Sequence, residues 1–229
     1  MANSTYDLKQ LRPRRFRNRR EAGRLLAPLL RHFASRRDVV VLALPRGGVP
    51  IAYEVAVAIG APLDVFTVRK LGVPEHEEFA MGAIGSGGAY VLNSEVIAAL
   101  HISRAEVVDV MERERQELKR REHLYRDSRP YPKLEGRTMI LIDDGIATGA
   151  SMIVAVNALR QKGPSKIVVA VPVAPSETCS ALREHADDVI CYETPEPFGG
   201  VGAWYEDFSQ VTDEEVRALL DQASLRRAS

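Results

Sequence analysis

Apolar and polar positions divide this chain into short apolar runs that alternate with amphipathic stretches. Residues 38–44 (D-V-V-V-L-A-L), 138–142 (T-M-I-L-I), 166–173 (K-I-V-V-A-V-P-V) and 188–192 (D-V-I-C-Y) are continuous apolar runs rich in β-branched residues. Runs of this length suit strands covered on both faces of a parallel sheet. Helical spacing lies between them. Leu25, Leu26, Leu29, Leu30 and Phe33 follow a candidate N-cap at Asn18, and an apolar helix from about Val49 to Ile59 is closed by Gly60. A long helix from Ser103 to about Tyr125 opens on a Ser103/Glu106 capping box, and another from about Ser151 stops at Lys162-Gly163-Pro164. Shorter patterns run from Ser176 to about His185 and from Thr212, where Glu215 completes a second capping box. This alternation predicts an α/β fold, a mainly parallel central sheet flanked by helices.

Two stretches break the rhythm. Residues 62–70 read as one strand, with Val65, Thr67 and Arg69 alternating against Phe66, Val68 and Lys70. Residues 71–88 are acidic and glycine-rich without periodicity, as expected of a mobile lid or a long hairpin, and a strand at 89–92 follows. Gly85-Ser86-Gly87-Gly88 does not complete a dinucleotide fingerprint, because Tyr90 stands at the last required glycine position.

Composition narrows the classes. With 229 residues, one domain over 1–229 is expected, its core at about 38–192. The 31 basic residues balance 31 acidic ones, so no global charge points to nucleic acid or a membrane. Residues 1–10 lack the apolar core of a signal peptide and no run reaches transmembrane length, which predicts a cytoplasmic protein. Cys179 and Cys191 lack metal or redox spacing and are expected as reduced thiols. Arg12, Arg14, Arg15, Arg17, Arg19 and Arg20 form a basic segment, read first as a solvated helix entry or oligomer contact and second as a nucleic-acid contact.

The chemistry concentrates after the strand at 138–142. Asp143 and Asp144 stand at its carboxyl end, where open α/β sheets bind ligands. Gly145, Ile146, Ala147, Thr148, Gly149 and Ala150 then form a small-residue turn before the helix at Ser151. Such a turn lets a phosphate reach backbone N–H groups at a helix N-terminus. Pro45-Arg46-Gly47-Gly48 repeats the plan after the strand at 38–44 and adds a cation, so a second anion loop is expected. Arg69 and Lys70 stand at the carboxyl end of their strand, which places them near the same site.

The run from Thr138 to Ser151 closely resembles the phosphoribosyl pyrophosphate (PRPP) signature of the type I phosphoribosyltransferases. Ala147 stands where many members have Thr, and Gly145 replaces a usually apolar residue. The layout is most similar to bacterial members of unassigned substrate. The resemblance implies a type I fold with a flexible lid at about 71–92, where His76, Glu77 and Glu78 are candidates, and a hood from the N-terminal segment and 193–229. It implies catalytic Asp143 and Asp144 on the ribose hydroxyls, with Gly145, Ile146, Ala147, Thr148, Gly149, Ala150 and Ser151 around the 5-phosphate. Arg46, Gly47, Gly48, Arg69 and Lys70 would receive pyrophosphate. Mg2+ would be held through PRPP with Asp143 and Asp144, and Asp207 is a further candidate. Phe198, Val201, Trp204, Tyr205 and Asp207 concentrate where a hood would stack and read an acceptor; a small satellite core explains them equally well. The expected activity is Mg2+-dependent transfer of ribose 5-phosphate from PRPP to a nitrogenous small-molecule acceptor such as a nucleobase, by a homo-oligomer. The alternative is a PRPP-sensing regulator that touches nucleic acid through the arginine segment.

Overall fold

The structure, a computed structural model, describes residues 15–126 and 131–228. Arg12 and Arg14 therefore lie outside the described residues. The strands are β1 (Val39–Ala43), β2 (Leu63–Val65), β3 (Val68–Val73), β4 (His76–Gly85), β5 (Ala89–Leu92), β6 (Thr138–Ile142), β7 (Lys166–Val173) and β8 (Asp188–Glu193). The helices are α1 (Arg19–Leu26), α2 (Gly48–Ile59), α3 (Ser94–Ala99), α4 (Arg104–Arg126), α5 (Ala150–Arg160), α6 (Ser176–Leu182) and α7 (Asp213–Ala228).

A five-stranded sheet in the order β2-β1-β6-β7-β8 is parallel throughout. Its centre is dry: every residue of β1 and β6 is buried. Alternation along the strands sends Val39, Val41 and Ala43 to a core shared with α1, α2 and α7, and sends Val40 and Leu42 to a core shared with α5 and α6. Burial on both faces is what makes these strands continuous apolar runs, and it confirms the mainly parallel sheet flanked by helices.

Three expectations change. The strand at 62–70 is two strands. After Val65 the Phe66 amide makes a last bond to Ala43 O, then Thr67 and Ser86 exchange bonds that carry the chain into an antiparallel sheet, β3-β4-β5. Residues 71–88 accordingly form the hairpin of the two alternatives, packed on α4 and α5. The helix expected to reach Phe33 ends at Leu26 and tightens to a 3-10 turn over Ala27–Phe33, because Pro28 lacks the N–H that an α-helix needs. Finally, Cys179 and Cys191 are not thiols: α6 and β8 bring them together as a disulfide, a pairing that sequence spacing alone did not signal.

Both capping boxes and the Asn18 cap form as expected: Asn18 Oδ1 accepts the Glu21 N–H at 3.0 Å, and Ser103/Glu106 and Thr212/Glu215 bond reciprocally. Among the described residues no helix is long and apolar enough to cross a membrane.

Candidate functional site

The site grows from the adjacency of β1 and β6, paired from Val39↔Thr138 to Ala43↔Ile142. From β1 the chain moves to β2 on one side, and from β6 to β7 and β8 on the other. A crevice therefore opens at their carboxyl ends, the topological switch point of an open α/β sheet. α2 and α5 start there, from opposite faces of the sheet. Neither has a side-chain hydrogen bond on its N-cap, Gly47 or Gly149. First-turn N–H groups have no intrahelical acceptor; at α2 those of Gly48 and Val49 instead donate to Leu44 O and Arg46 O, both at 3.1 Å, and the two helix dipoles place partial positive charge at one crevice.

Close packing of the two turns explains their glycines. A Cβ on Gly48 would sit 2.6 Å from Ile142 O and 3.0 Å from Asp143 Cα, and one on Gly47 would overlap the Asp144 carboxylate. Gly47 has an ordinary helical φ of −58°, so the need is for space and not for an unusual backbone angle. Gly149 is different: at φ 79° it occupies the left-handed region that favours glycine.

The acidic pair is asymmetric. Asp143 Oδ1 accepts the Asp144 N–H at 2.8 Å. Burial, then the neighbouring Asp144 charge, pushes the Asp143 carboxyl well above the usual range. Burial also raises Asp144, but the Arg19 guanidinium opposes it, donating to Oδ2 from Nε at 2.9 Å and Nη2 at 2.8 Å. Arg19 further donates to Ser209 O at 2.7 Å and lies 4.0 Å over the Phe208 ring.

In the small-residue turn the backbone is only partly free. Ile146, expected among the phosphate-binding amides, donates its N–H to Val173 O at 3.0 Å and buries its side chain. Ala147 O accepts the Thr178 hydroxyl at 2.7 Å, which props the loop from α6. Gly145 is pressed against Val201 and Val173. The exposed residues of the turn are Ala147, Thr148, Ala150 and Ser151, with Thr148 Oγ1 3.5 Å from the Ala150 N–H.

The other expected residues divide. Arg46, in the β1 turn, lies 4.0 Å from Asp213 on α7. Arg69 turns to Glu114 on α4, at 2.7 Å, and is not joined to the acidic turn by any ion pair among the described residues. Lys70 is exposed on β3. His76 opens β4 with its ring 6.5 Å from Phe79, and Glu77 and Glu78 follow on the same strand. Trp204 and Tyr205 are interior: Trp204 Nε1 donates to Phe198 O at 2.8 Å, and the Tyr205 hydroxyl donates to Asp144 O at 2.6 Å. The satellite core is thus real and is tied directly to the acidic turn. Asp207 is exposed, and its Oδ1 accepts the Ser209 N–H, which holds its carboxyl below the usual range.

Arg19 is the residue that sequence reading missed. It belongs to a segment read as solvated, yet its side chain is only 11% exposed. Its neighbours are likewise paired, Arg17 with Glu21 and Arg20 with Glu54, so this part of the segment is not a free basic stripe. Beyond Arg19 lies a cavity of about 320 Å³, lined also by Arg20, Pro50, Asp207, Gln210 and Glu215.

The family model described as phosphoribosyl transferase domain matches residues 17–206. The chain belongs to this family. The Mycobacterium tuberculosis protein MT0597, whose name is 'Putative phosphoribosyl transferase', is 46% identical over 208 residues, 91% of this chain and 47% of that protein. The chain thus spans about half the length of the curated relatives it matches first. The crystal structure of TT1426 from Thermus thermophilus is 45% identical with a TM-score of 0.80, covering 91% of this chain and 98% of that one. A uracil phosphoribosyltransferase of Ligilactobacillus salivarius is 44% identical over a shorter stretch of 59 residues, 26% of this chain and 28% of that enzyme. Asp143 and Asp144 offer adjacent carboxylates, the hard oxygen donors that a divalent cation takes. Among the described residues no cluster of three or more His, Cys, Asp or Glu could hold a metal ion on its own.

Proposed function

We propose that this chain is a phosphoribosyltransferase that takes PRPP as donor and passes ribose 5-phosphate to a nitrogenous small-molecule acceptor. The observation that carries this reading is the convergence of two helix N-termini, each lacking a side-chain cap, on one crevice that holds two adjacent carboxylates. A donor with phosphates at both ends of a sugar matches two anion loops, and a monophosphate would leave one without a partner.

In this reading the first turn of α5, with Thr148 and Ser151, holds the 5-phosphate, and the start of α2 with Arg46 receives the diphosphate. Asp143 and Asp144 accept hydrogen bonds from the ribose hydroxyls. Mg2+ would be held by these carboxylates and the donor, where it neutralises charge on the leaving group. The acceptor nitrogen forms a bond to the anomeric carbon as the carbon–oxygen bond to diphosphate breaks. Pyrophosphate leaves with the electron pair, and the acceptor gives up one proton. Ionised carboxylate beside the anomeric carbon stabilises its developing positive charge, while amides and Arg46 stabilise the departing oxygen. The hairpin at 71–92 serves as the cover that excludes water, with His76, Glu77 and Glu78 at its tip, and Lys70 adds positive charge at its base.

The test is pyrophosphate release from PRPP across a panel of nucleobases, alongside calorimetry with Mg2+ and PRPP. Asp143→Asn combined with Asp144→Asn is expected to abolish turnover, with the native circular dichroism retained. Unchanged binding and turnover in the double variant would overturn the assignment.

A further inference from the structure

The small-residue turn after β6 is held from outside itself. The Ile146 N–H bonds Val173 O on β7, and Ala147 O accepts the Thr178 hydroxyl at 2.7 Å. The Thr178 methyl packs on the same turn, since a Cβ on Gly149 would sit 3.0 Å from it. Thr178 therefore sets two positions of the turn, and whatever fixes Thr178 fixes them. It stands in α6, which has seven residues and no side-chain hydrogen bond on its N-cap. A helix that short does not hold itself in water; its place comes from what it packs on.

The buried residues of α6 are Thr178, Cys179 and Leu182. Leu182 supplies packing without direction. Cys179, next in sequence to Thr178, is bonded to Cys191 on β8, the edge strand of the parallel sheet. Cys191 is in register with Val171 of β7, the strand that supplies Val173 O to the turn. A covalent tether thus runs from the sheet edge to the residue that props the turn. Cys179 is 2% exposed, whereas Cys191 is partly exposed, so Cys191 is the side from which a small thiol approaches.

We propose that the Cys179–Cys191 pair positions the small-residue turn through Thr178 and makes the affinity for PRPP sensitive to dithiols. This rests on the phosphoribosyltransferase reading, and adds to it a control on the donor half of the site. One thiolate of the dithiol attacks the Cys191 sulfur, and the Cys179 sulfur leaves with the electron pair and takes up a proton. The second thiol of the reductant then displaces Cys191 as a thiol and closes the reductant into its own disulfide. Two electrons and two protons pass to the protein. After that α6 is held by packing alone, and the Thr178 hydroxyl no longer holds Ala147 O in one place.

The experiment compares oxidised protein with protein reduced by dithiothreitol, the thiols being counted by mass spectrometry after alkylation. PRPP with Mg2+ is titrated by calorimetry, and hydrogen exchange is followed at 147–151 without PRPP. Reduction is expected to weaken PRPP about fivefold, the worth of one hydrogen bond, and to speed exchange at 147–151; oxidised glutathione should restore both. Cys191→Ser should match the reduced wild type and ignore dithiothreitol. Thr178→Val should start weak and lose nothing further on reduction, which a tether acting only on overall stability would not produce. Oxidised and reduced wild type share one sequence, so the comparison stands even where a variant fails to fold. Two free thiols under oxidising conditions, or a full effect of reduction in Thr178→Val, would overturn the proposal. PRPP binding of equal strength in both states would overturn it while leaving the donor site standing. No PRPP binding in either state would remove the parent reading and this one together.

Discussion

Burial raises both neighbouring carboxylates, and the Arg19 guanidinium opposes it chiefly at Asp144, to which it is bonded. Asp143 is raised by burial first and by the Asp144 charge second. In the unfolded chain it loses its proton near the ordinary value of about 3.9, whereas in the folded protein it holds the proton to higher pH. Between those two values the folded state binds more protons, and the contribution of Asp143 to stability falls as pH rises. Asp143→Asn removes that slope. Thermal unfolding of wild type and variant across the range from about pH 4 to about pH 9 should show the variant gaining on the wild type as pH increases; parallel curves would contradict the placement. Thr178 acts at the same scale through a different atom. Its hydroxyl fixes Ala147 O, the edge of the small-residue turn. Thr178→Val keeps the shape and loses the bond, worth about 1 kcal/mol, so PRPP affinity should drop severalfold with a minor change in Tm. An affinity equal to wild type would show that the turn holds itself.

At the scale of elements, the two loops are packed closely enough that one methyl group matters, and its direction decides the consequence. A Cβ on Gly48 meets the backbone of Ile142 and Asp143, which cannot swing away. Gly48→Ala should therefore cost stability, about 1–3 kcal/mol by overpacking, read from denaturant unfolding. A Cβ on Gly47 meets the Asp144 side chain, which can move. Gly47→Ala should fold nearly normally and lose activity, on the order of 100-fold for a misplaced carboxylate. The reverse pattern would mean the loops separate more easily than they pack. Much of this level was legible in the chain. β6, Asp143, Asp144 and the start of α5 were readable because a buried strand, paired acids and small residues each leave a local mark. The break at Phe66–Thr67 was not, because alternation continues unbroken across it and only the Ser86 partner, 19 residues on, ends the strand. Arg19 was illegible for a similar reason: its partners Asp144 and Ser209 lie 125 and 190 residues away, and an arginine in a basic run looks solvated until the fold supplies a carboxylate.

At the scale of the molecule, the parallel sheet and the antiparallel sheet have different interiors. β1 and β6 are buried along their whole length, while β5 is buried at Ala89 alone. Local opening should follow that difference. Hydrogen exchange is expected to be slowest for amides at 39–43 and 138–142 and faster by sub-global opening across 76–92, with equal protection in the two sheets as the result that contradicts it.

The bond between Phe16 and Trp204, with those from Glu206 and Asp207 back to Phe16 and Arg17, ties the residues before α1 to the segment that holds Tyr205 and Phe208. Those two stretches leave the ribosome roughly 10 to 40 seconds apart at ordinary rates of synthesis. A nascent chain halted before Tyr205 can already lay down β1, β6 and both helix ends, yet Arg19 lacks Ser209 and the Asp144 carbonyl lacks its phenol. What arrives late is the support of the acidic pair: the Ser209 tether on Arg19 and the Tyr205 phenol on the Asp144 carbonyl.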